Sequence, residues 1–196
     1  MKTRQEKIDW LLEHQALLKG HFLLASGLHS EFYVQTAKLF EHPHLCETLA
    51  QEIVAENPPL RQAGTVVSLA LGAIIWGHEL ARALGRRHIF AERSGDALVI
   101  RRNFTLEPGE KIVVAEDVVT SGGSIMELVR LLQEKQAEVQ SIVTVVNRSA
   151  GRFMPPVPNI TWLEMELPTY EPRDCPLCKD NIPFHAPGTK QSMKPR

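Results

Sequence analysis

The chain has 196 residues, 43% of them hydrophobic and 23% charged, which supports one hydrophobic core and leaves little room for a second independent domain. Its formal net charge of −1 argues against bulk nucleic-acid binding and leaves any attraction for an anion to local clusters such as Arg86, Arg87, Arg93, Arg101 and Arg102. No apolar stretch approaches a membrane span, Met1 to Lys7 lack the apolar core of a signal peptide, and three cysteines make no disulfide framework, so a reducing cytoplasm is the expected setting.

Ile8, Leu11, Leu12, Ala16 and Leu17 recur at helical spacing and predict a helix over residues 3–18, closed by Lys19-Gly20. Two short strands follow around Ser26-Gly27, a hairpin whose apolar positions are Phe22, Leu23, Phe32 and Val34. A helix from about 43 to 56 ends near Asn57-Pro58-Pro59. Then come strands at 65–70, 88–92, 97–100, 111–116 and 141–147, with helices at 73–84 and 123–137. Strands alternating with helices predict an α/β fold, a mainly parallel central sheet with helices on both faces. Ser94-Gly95-Asp96 reads as a hairpin tip, so residues 90–104 are expected to project as a flap, with Asp96 pointing away from any bound anion. Beyond Pro155 the chain turns Pro-rich, with one strand at 160–165 and an extended tail folded back near the first hairpin.

The most informative run is Lys111 to Ser124. Ile112, Val113, Val114 and Ala115 have the continuous apolar character of a strand covered on both faces, and Met126, Leu128, Val129, Leu131 and Leu132 give the next segment an apolar helical face. Between them lie Glu116 and Asp117, then Thr120-Ser121-Gly122-Gly123-Ser124. The amides of Val119 to Ser124 can converge on a phosphate, with Gly122 and Gly123 permitting close approach and Thr120, Ser121 and Ser124 adding hydroxyls. Glu116 and Asp117 are acceptors suited to a ribose 2′,3′-diol. No lysine follows the glycines as a Walker A loop requires, and no Gly-x-Gly-x-x-Gly fingerprint occurs.

Val114 to Ser124 resembles the phosphoribosyl-pyrophosphate (PRPP) motif of the type I phosphoribosyltransferases. His21 to Val34 resembles the N-terminal hood hairpin of the orotate phosphoribosyltransferases, and Tyr170 to Cys178, with Ile182-Pro183 and Pro187-Gly188, is similar to the ending of a short-chain branch of those enzymes. The resemblance implies one phosphoribosyltransferase domain over 1–196, with a hood formed by about 1–35 and 155–196 and an α/β core at about 40–154. It implies transfer of the phosphoribosyl group from PRPP to orotate, with Mg²⁺ held mainly by PRPP and water, and a cytoplasmic homodimer that touches neither nucleic acid nor membrane. Residue by residue, it assigns Glu116 and Asp117 to catalysis, with Arg93 of the flap standing in there for the family's lysine. Glu116, Asp117, Val118, Val119, Thr120, Ser121, Gly122, Gly123, Ser124, Leu71, Gly72, Arg101 and Arg102 fall to PRPP, and Thr120, Arg148, Tyr33 and Val34 to orotate.

The chain departs from the longer-loop branch of the family where three lysines are expected. Ala25 precedes the hood Ser-Gly, the pyrophosphate loop reads Leu71-Gly72-Ala73, and the flap carries Arg93, Arg101 and Arg102 in place of a lysine. Arginine can clamp pyrophosphate bidentately but is a poor proton donor to a leaving group. Two competing readings are transfer to another base, such as a purine, and a non-catalytic PRPP-binding regulator. Cys175-Pro176-Leu177-Cys178 has the spacing of half a zinc knuckle, yet no second cysteine pair exists and His185 alone leaves a tetrahedral set incomplete, so a metal-free turn is expected there.

Overall fold

The computed structural model describes residues 2–187. In chain order the elements are α1 (Arg4–Glu13), β1 (Leu17–Leu23), β2 (His29–Val34), α2 (Ala37–Phe40), α3 (Pro43–Glu56), a 3₁₀ turn (Pro58–Gln62), β3 (Thr65–Leu69), α4 (Ile74–Leu84), β4 (Arg87–Ser94) and β5 (Ala97–Ile100), followed by β6 (Lys111–Val119), α5 (Gly123–Glu134), β7 (Glu138–Asn147), β8 (Asn159–Glu164), β9 (Thr169–Tyr170) and α6 (Pro176–Lys179). They make two compact units, Met1–Gln35 with Glu166–Arg196, and Thr36–Met165. No helix among the described residues is long and apolar enough to cross a membrane.

The larger unit is built on a six-stranded sheet in the order β5-β4-β3-β6-β7-β8. Every neighbouring pair is parallel except β4 with β5. Val66, Val67, Ile112, Val113, Val114, Ala115, Ile142 and Val143 are all fully buried, as strands covered on both faces must be. On one face α5 buries Ile125, Leu128, Val129 and Leu132, one stripe at helical spacing, in a cluster with Val67, Leu69, Ile112, Val114 and Ile142. On the other, α4 comes so close that a Cβ built on Gly77 would lie 2.8 Å from Ser68 Cβ. Ser68 alternates with Val67 and Leu69 along β3, which is why α4 and α5 cover opposite faces.

Several boundaries differ from the sequence expectation, each for a local reason. Helix α1 stops at Glu13 because Gln15 takes φ 57°, and Ala16 and Leu17 lead into β1. Helix α5 ends at Glu134, with Gln136 at φ 61°. Strand β6 runs on through the two acids to Val119, since Val118 and Val119 keep pairing with Val146 and Asn147.

The hairpin β4–β5 is the edge of the central sheet and does not project over residues 90–100. Its alternating apolar residues have a core to face: Leu98 is buried in the cluster with α5, and Ile100 packs against it. Strand β8, expected within the hood span, pairs in parallel with β7, so the tail segment begins after Met165.

The smaller unit is a three-stranded antiparallel sheet, β1-β2-β9. His29 pairs with Tyr170 and Ser30 with Thr169. Further along, the Leu23 amide donates to the His185 carbonyl at 2.9 Å and the His185 amide to the His21 carbonyl at 2.8 Å. The tail therefore folds back on the first hairpin, as expected; Gly188, part of the tail pattern, lies outside the described residues. Two further side chains lie beside Cys175 and Cys178. His185 is held through its backbone, and the side chains that reach both cysteines are His21 and His29, on β1 and β2.

Candidate active site

Strand register gathers the chemistry at the carboxyl ends of the interior strands β3, β6 and β7. Ser68 of β3 lies beside Ala115 of β6, Glu116 beside Thr144 of β7, and Val119 beside Asn147. The loops after β3, β6 and β7 thus leave the sheet together at the carboxyl ends of parallel strands, where ligands bind in open α/β sheets.

The loop after β6 has the features of an anion cradle. Gly122 is the N-cap of α5 and takes φ 78°, ψ 2°, a left-handed conformation that glycine adopts without steric cost. No side chain caps the first turn of α5, and no acidic residue lies in that turn, so its amides and dipole remain available to a phosphate. Thr120, Ser121, Gly123 and Ser124 are exposed, and Gly122 is buried. Beneath Gly122 lies the Phe153 ring, placed by a loop in which the Ser149 amide donates to Asn147 Oδ1 at 3.0 Å and the Phe153 amide to Ser149 Oγ at 3.2 Å. The Arg148 amide donates to the Val119 carbonyl at 2.8 Å, so Arg148 and Thr120 follow directly on a bonded pair of strand ends.

The two acids have distinct settings. Asp117 Oδ2 accepts a hydrogen bond from Thr36 Oγ1 at 2.6 Å, and a Cβ on Gly72 would lie 3.3 Å from the same oxygen. The loop of Leu71 and Gly72, entered through a cis Ala70–Leu71 peptide, therefore passes directly against this carboxylate, with both residues exposed. Glu116 is more enclosed, and among the described residues its Oε2 is buried with no hydrogen-bond partner. Burial, and secondly the neighbouring Asp117, push its carboxyl up to about 8. A buried acceptor without a donor, beside a second carboxylate, suits ligand hydroxyls that would supply the missing hydrogens.

That shift has a stability consequence with a definite sign. Between the ordinary value of 4.5 and about 8 the folded chain holds a proton that the unfolded chain releases, so stability falls as pH rises through that window and levels off above it. Glu116→Gln removes this loss. Thermal melts should show the variant gaining on the native chain as pH is raised from about 5 to about 9; an offset independent of pH would mean that Glu116 titrates normally.

The flap arginines are already engaged. Arg93 grips Glu127 of α5 through two hydrogen bonds, 2.7 and 2.5 Å, and donates to the Asp96 carbonyl at 2.9 Å. Arg101 donates to Ser94 Oγ, while Arg102 pairs with Glu92 at 3.1 Å and lies over the Phe90 ring. Tyr33 and Val34 end β2 in the smaller unit. The larger unit brings together Glu116, Asp117, Gly72, residues 118–124 and Arg148. Sequence reasoning missed Thr36, whose position ahead of α2 suggests only a helix cap; its hydroxyl makes no such cap and reaches Asp117 instead.

Comparisons with known proteins agree with this geometry. Residues 35–166, nearly the extent of the larger unit, match the phosphoribosyl transferase domain family. The orotate phosphoribosyltransferase of Caldicellulosiruptor bescii is 41% identical over 184 residues, covering 94% of this chain and 96% of that one. That of Thermotoga maritima is 43% identical over 175 residues, covering 89% and 93%. A crystal structure of the Aeropyrum pernix orotate phosphoribosyltransferase superposes with a TM-score of 0.69 at 22% identity, covering 80% of this chain and 92% of that one. An uncapped Gly-rich helix start behind two strand-end acids, on a sheet of this order and in a chain this similar along its length, places the protein in the orotate phosphoribosyltransferase family of transferases.

Proposed function

We propose that the chain transfers the 5-phosphoribosyl group from PRPP to orotate, giving orotidine 5′-monophosphate and pyrophosphate in pyrimidine biosynthesis. The observation that carries this reading is the buried, unpartnered Glu116 Oε2 beside Asp117, one strand end away from the uncapped start of α5. A ribose diol supplies donors to the acids while the 5-phosphate takes the amides of residues 120–124. A bond forms between an orotate ring nitrogen, which releases its proton to water, and the ribose carbon as the bond from that carbon to pyrophosphate oxygen breaks, and pyrophosphate leaves with the electron pair. Positive character grows on the sugar carbon, and the Asp117 carboxylate favours it, joined by Glu116 once that acid has released its proton. Amides of the Leu71-Gly72 loop face the leaving pyrophosphate.

The same pair of acids fits Mg²⁺, which when bound neutralises charge on the pyrophosphate. The ion would be held mainly by PRPP and water, with Glu116 and Asp117 acting through the diol. Arg93, Arg101 and Arg102 of the flap are the cations offered for a pyrophosphate clamp, and Arg93 reaches such a ligand by exchanging its Glu127 partner for phosphate oxygens. Free cysteines suit a reducing cytoplasm. A homodimer, the commonest symmetric assembly, completes the proposal and is read by light scattering.

Arg148 and Thr120 take the orotate. A planar guanidinium matches a carboxylate or carbonyl edge, so Arg148→Ala should raise the orotate KM about 10–100-fold, the value of a charge-assisted hydrogen bond, with little change in the PRPP KM. Equal effects on both would undo the assignment. The overall test is the fall in orotate absorbance with purified protein, PRPP and Mg²⁺, with hypoxanthine and uracil as rival bases. Magnesium-dependent loss of orotate with release of pyrophosphate supports the proposal; no turnover alongside tight PRPP binding overturns it in favour of a regulator.

A further inference from the structure

The smaller unit carries a second cluster that the transfer reaction does not use. His21 lies on β1, His29 on β2, Cys175 is the N-cap of α6 and Cys178 lies within that helix. One ligand atom from each, four in all, lies within 4.8 Å of the other three. His21, His29 and Cys175 are 1%, 4% and 0% exposed, and Cys178 is half-buried. Buried polar side chains need partners, and these four, from segments some 150 residues apart, converge on one another.

We propose that His21 Nε2, His29 Nδ1, Cys175 Sγ and Cys178 Sγ form a structural zinc site that fastens the tail to the first hairpin. Tetrahedral zinc with Zn–S near 2.3 Å and Zn–N near 2.05 Å requires sulfur–nitrogen edges of about 3.5 Å and a nitrogen–nitrogen edge of about 3.3 Å. The sulfur–nitrogen distances are 3.5 Å (Cys175 to His21), 3.8 Å (Cys178 to His21) and 3.3 Å (Cys178 to His29). The two imidazole nitrogens stand 2.8 Å apart, so binding requires them to open by roughly half an ångström.

The surroundings prepare the ligands. His21 Nδ1 lies 2.6 Å from the Ile182 carbonyl, which can only accept, so Nδ1 carries the proton and Nε2 presents its lone pair to the cluster. That second hydrogen bond is the device by which metal-binding histidines are oriented. Phe184 packs its ring against both imidazoles, with centroids 5.8 and 5.3 Å away. Two thiolates and two neutral imidazoles around Zn²⁺ sum to zero charge, which lowers the cost of burying the site. A set of two sulfur and two nitrogen ligands favours zinc over hard cations, and four protein ligands leave no open position for catalysis. Residues between the ligands include the Cys175-Pro176-Leu177-Cys178 turn, whose spacing is half of a knuckle completed here by the hairpin.

The test uses the tag-free full chain. Elemental analysis should find one zinc per chain. After chelation, Co²⁺ should bind with a stoichiometry of one, giving tetrahedral d–d bands and a thiolate-to-cobalt charge-transfer band that one equivalent of Zn²⁺ removes. Cys178→Ser, at the most accessible ligand, should weaken zinc binding at least about 100-fold, since even outer partners of a metal site are worth 10–100-fold. Chelator should lower the melting temperature of the native chain and leave that of Cys178→Ser unchanged. Failure of a chain that is folded by circular dichroism to take up Co²⁺, an octahedral spectrum without charge transfer, or an unaltered cobalt spectrum in Cys178→Ser would overturn the proposal in favour of a hydrogen-bonded thiol–imidazole cluster.

Discussion

Asp117→Asn should reduce kcat/KM by about 10³–10⁴ while leaving the fold intact, combining a lost charge-assisted hydrogen bond to the diol with lost stabilisation of a cationic sugar carbon. Asparagine has the same shape, and one of its ends can still accept the Thr36 hydroxyl, so neither Thr36 nor the nearby Gly72 loop is forced to move. Calorimetry should show PRPP affinity weakened by roughly 10–100-fold, the share expected from one hydrogen bond to a charged group. The variant should also titrate differently. Asp117 is the second cause, after burial, of the raised Glu116 carboxyl, so removing its charge should bring Glu116 down from about 8 and ease the loss of stability above neutral pH. Native PRPP affinity in the variant would reject the diol assignment, whatever became of turnover.

Gly122→Ala should be the most damaging single methyl in the larger unit. The added Cβ would lie 2.0 Å from Phe153 Cδ2 and 2.4 Å from Cε2, at a residue whose φ of 78° already disfavours any side chain. Overpacking costs about 1–3 kcal/mol and the left-handed conformation about 1–2 kcal/mol, so a loss of roughly 2–5 kcal/mol is expected in urea unfolding. Because Gly122 is also the N-cap of α5, the displaced backbone should misalign the phosphate amides, and PRPP affinity should fall with stability. A cycle with Phe153→Ala separates the causes. Phe153→Ala alone leaves a cavity, costing about 3–5 kcal/mol, but it makes room for the methyl, so the double variant should be less destabilised than the sum. Strict additivity would show that conformation, and not the ring, decides the glycine.

The chemistry of the site was legible where it is local. An apolar strand, two acids, a Gly-rich turn and an amphipathic helix are consecutive, and their arrangement follows from chain geometry once Val113 and Val114 are paired with β7. What escaped depends on approaches that no local pattern encodes. Thr36 meets Asp117 across 81 residues, and Phe153 supports Gly122 from a loop whose shape rests on the Asn147 and Ser149 hydrogen bonds. The flap was misread for a related reason. Its Gly95 turn and flanking arginines suggest a free loop, but Leu98 has a buried neighbour in α5, and Arg93 a carboxylate on the same helix. The end of β6 was placed three residues early because the acids interrupt an apolar run that the backbone pairing ignores. The two histidines were overlooked because the cysteine spacing directs attention to nearby ligands, whereas the hairpin supplies them from the opposite end of the chain.

The pairing of β2 with β9 sets an order of events during synthesis. His29 and Ser30, paired on one side with Leu23 and Phe22 of β1, acquire partners on the other side only when Thr169 and Tyr170 are made, whereas all six strands of the larger sheet are complete by Glu164. At about 5–20 residues per second, the hairpin is exposed for many seconds before its partner leaves the ribosome. The larger unit can thus form first, with its anion cradle assembled, while the segment that opens the chain waits as an unpaired strand edge. Released chains that stop short of residue 169 should bind PRPP yet show the first hairpin open to protease, a division of the polypeptide that its finished sheet conceals.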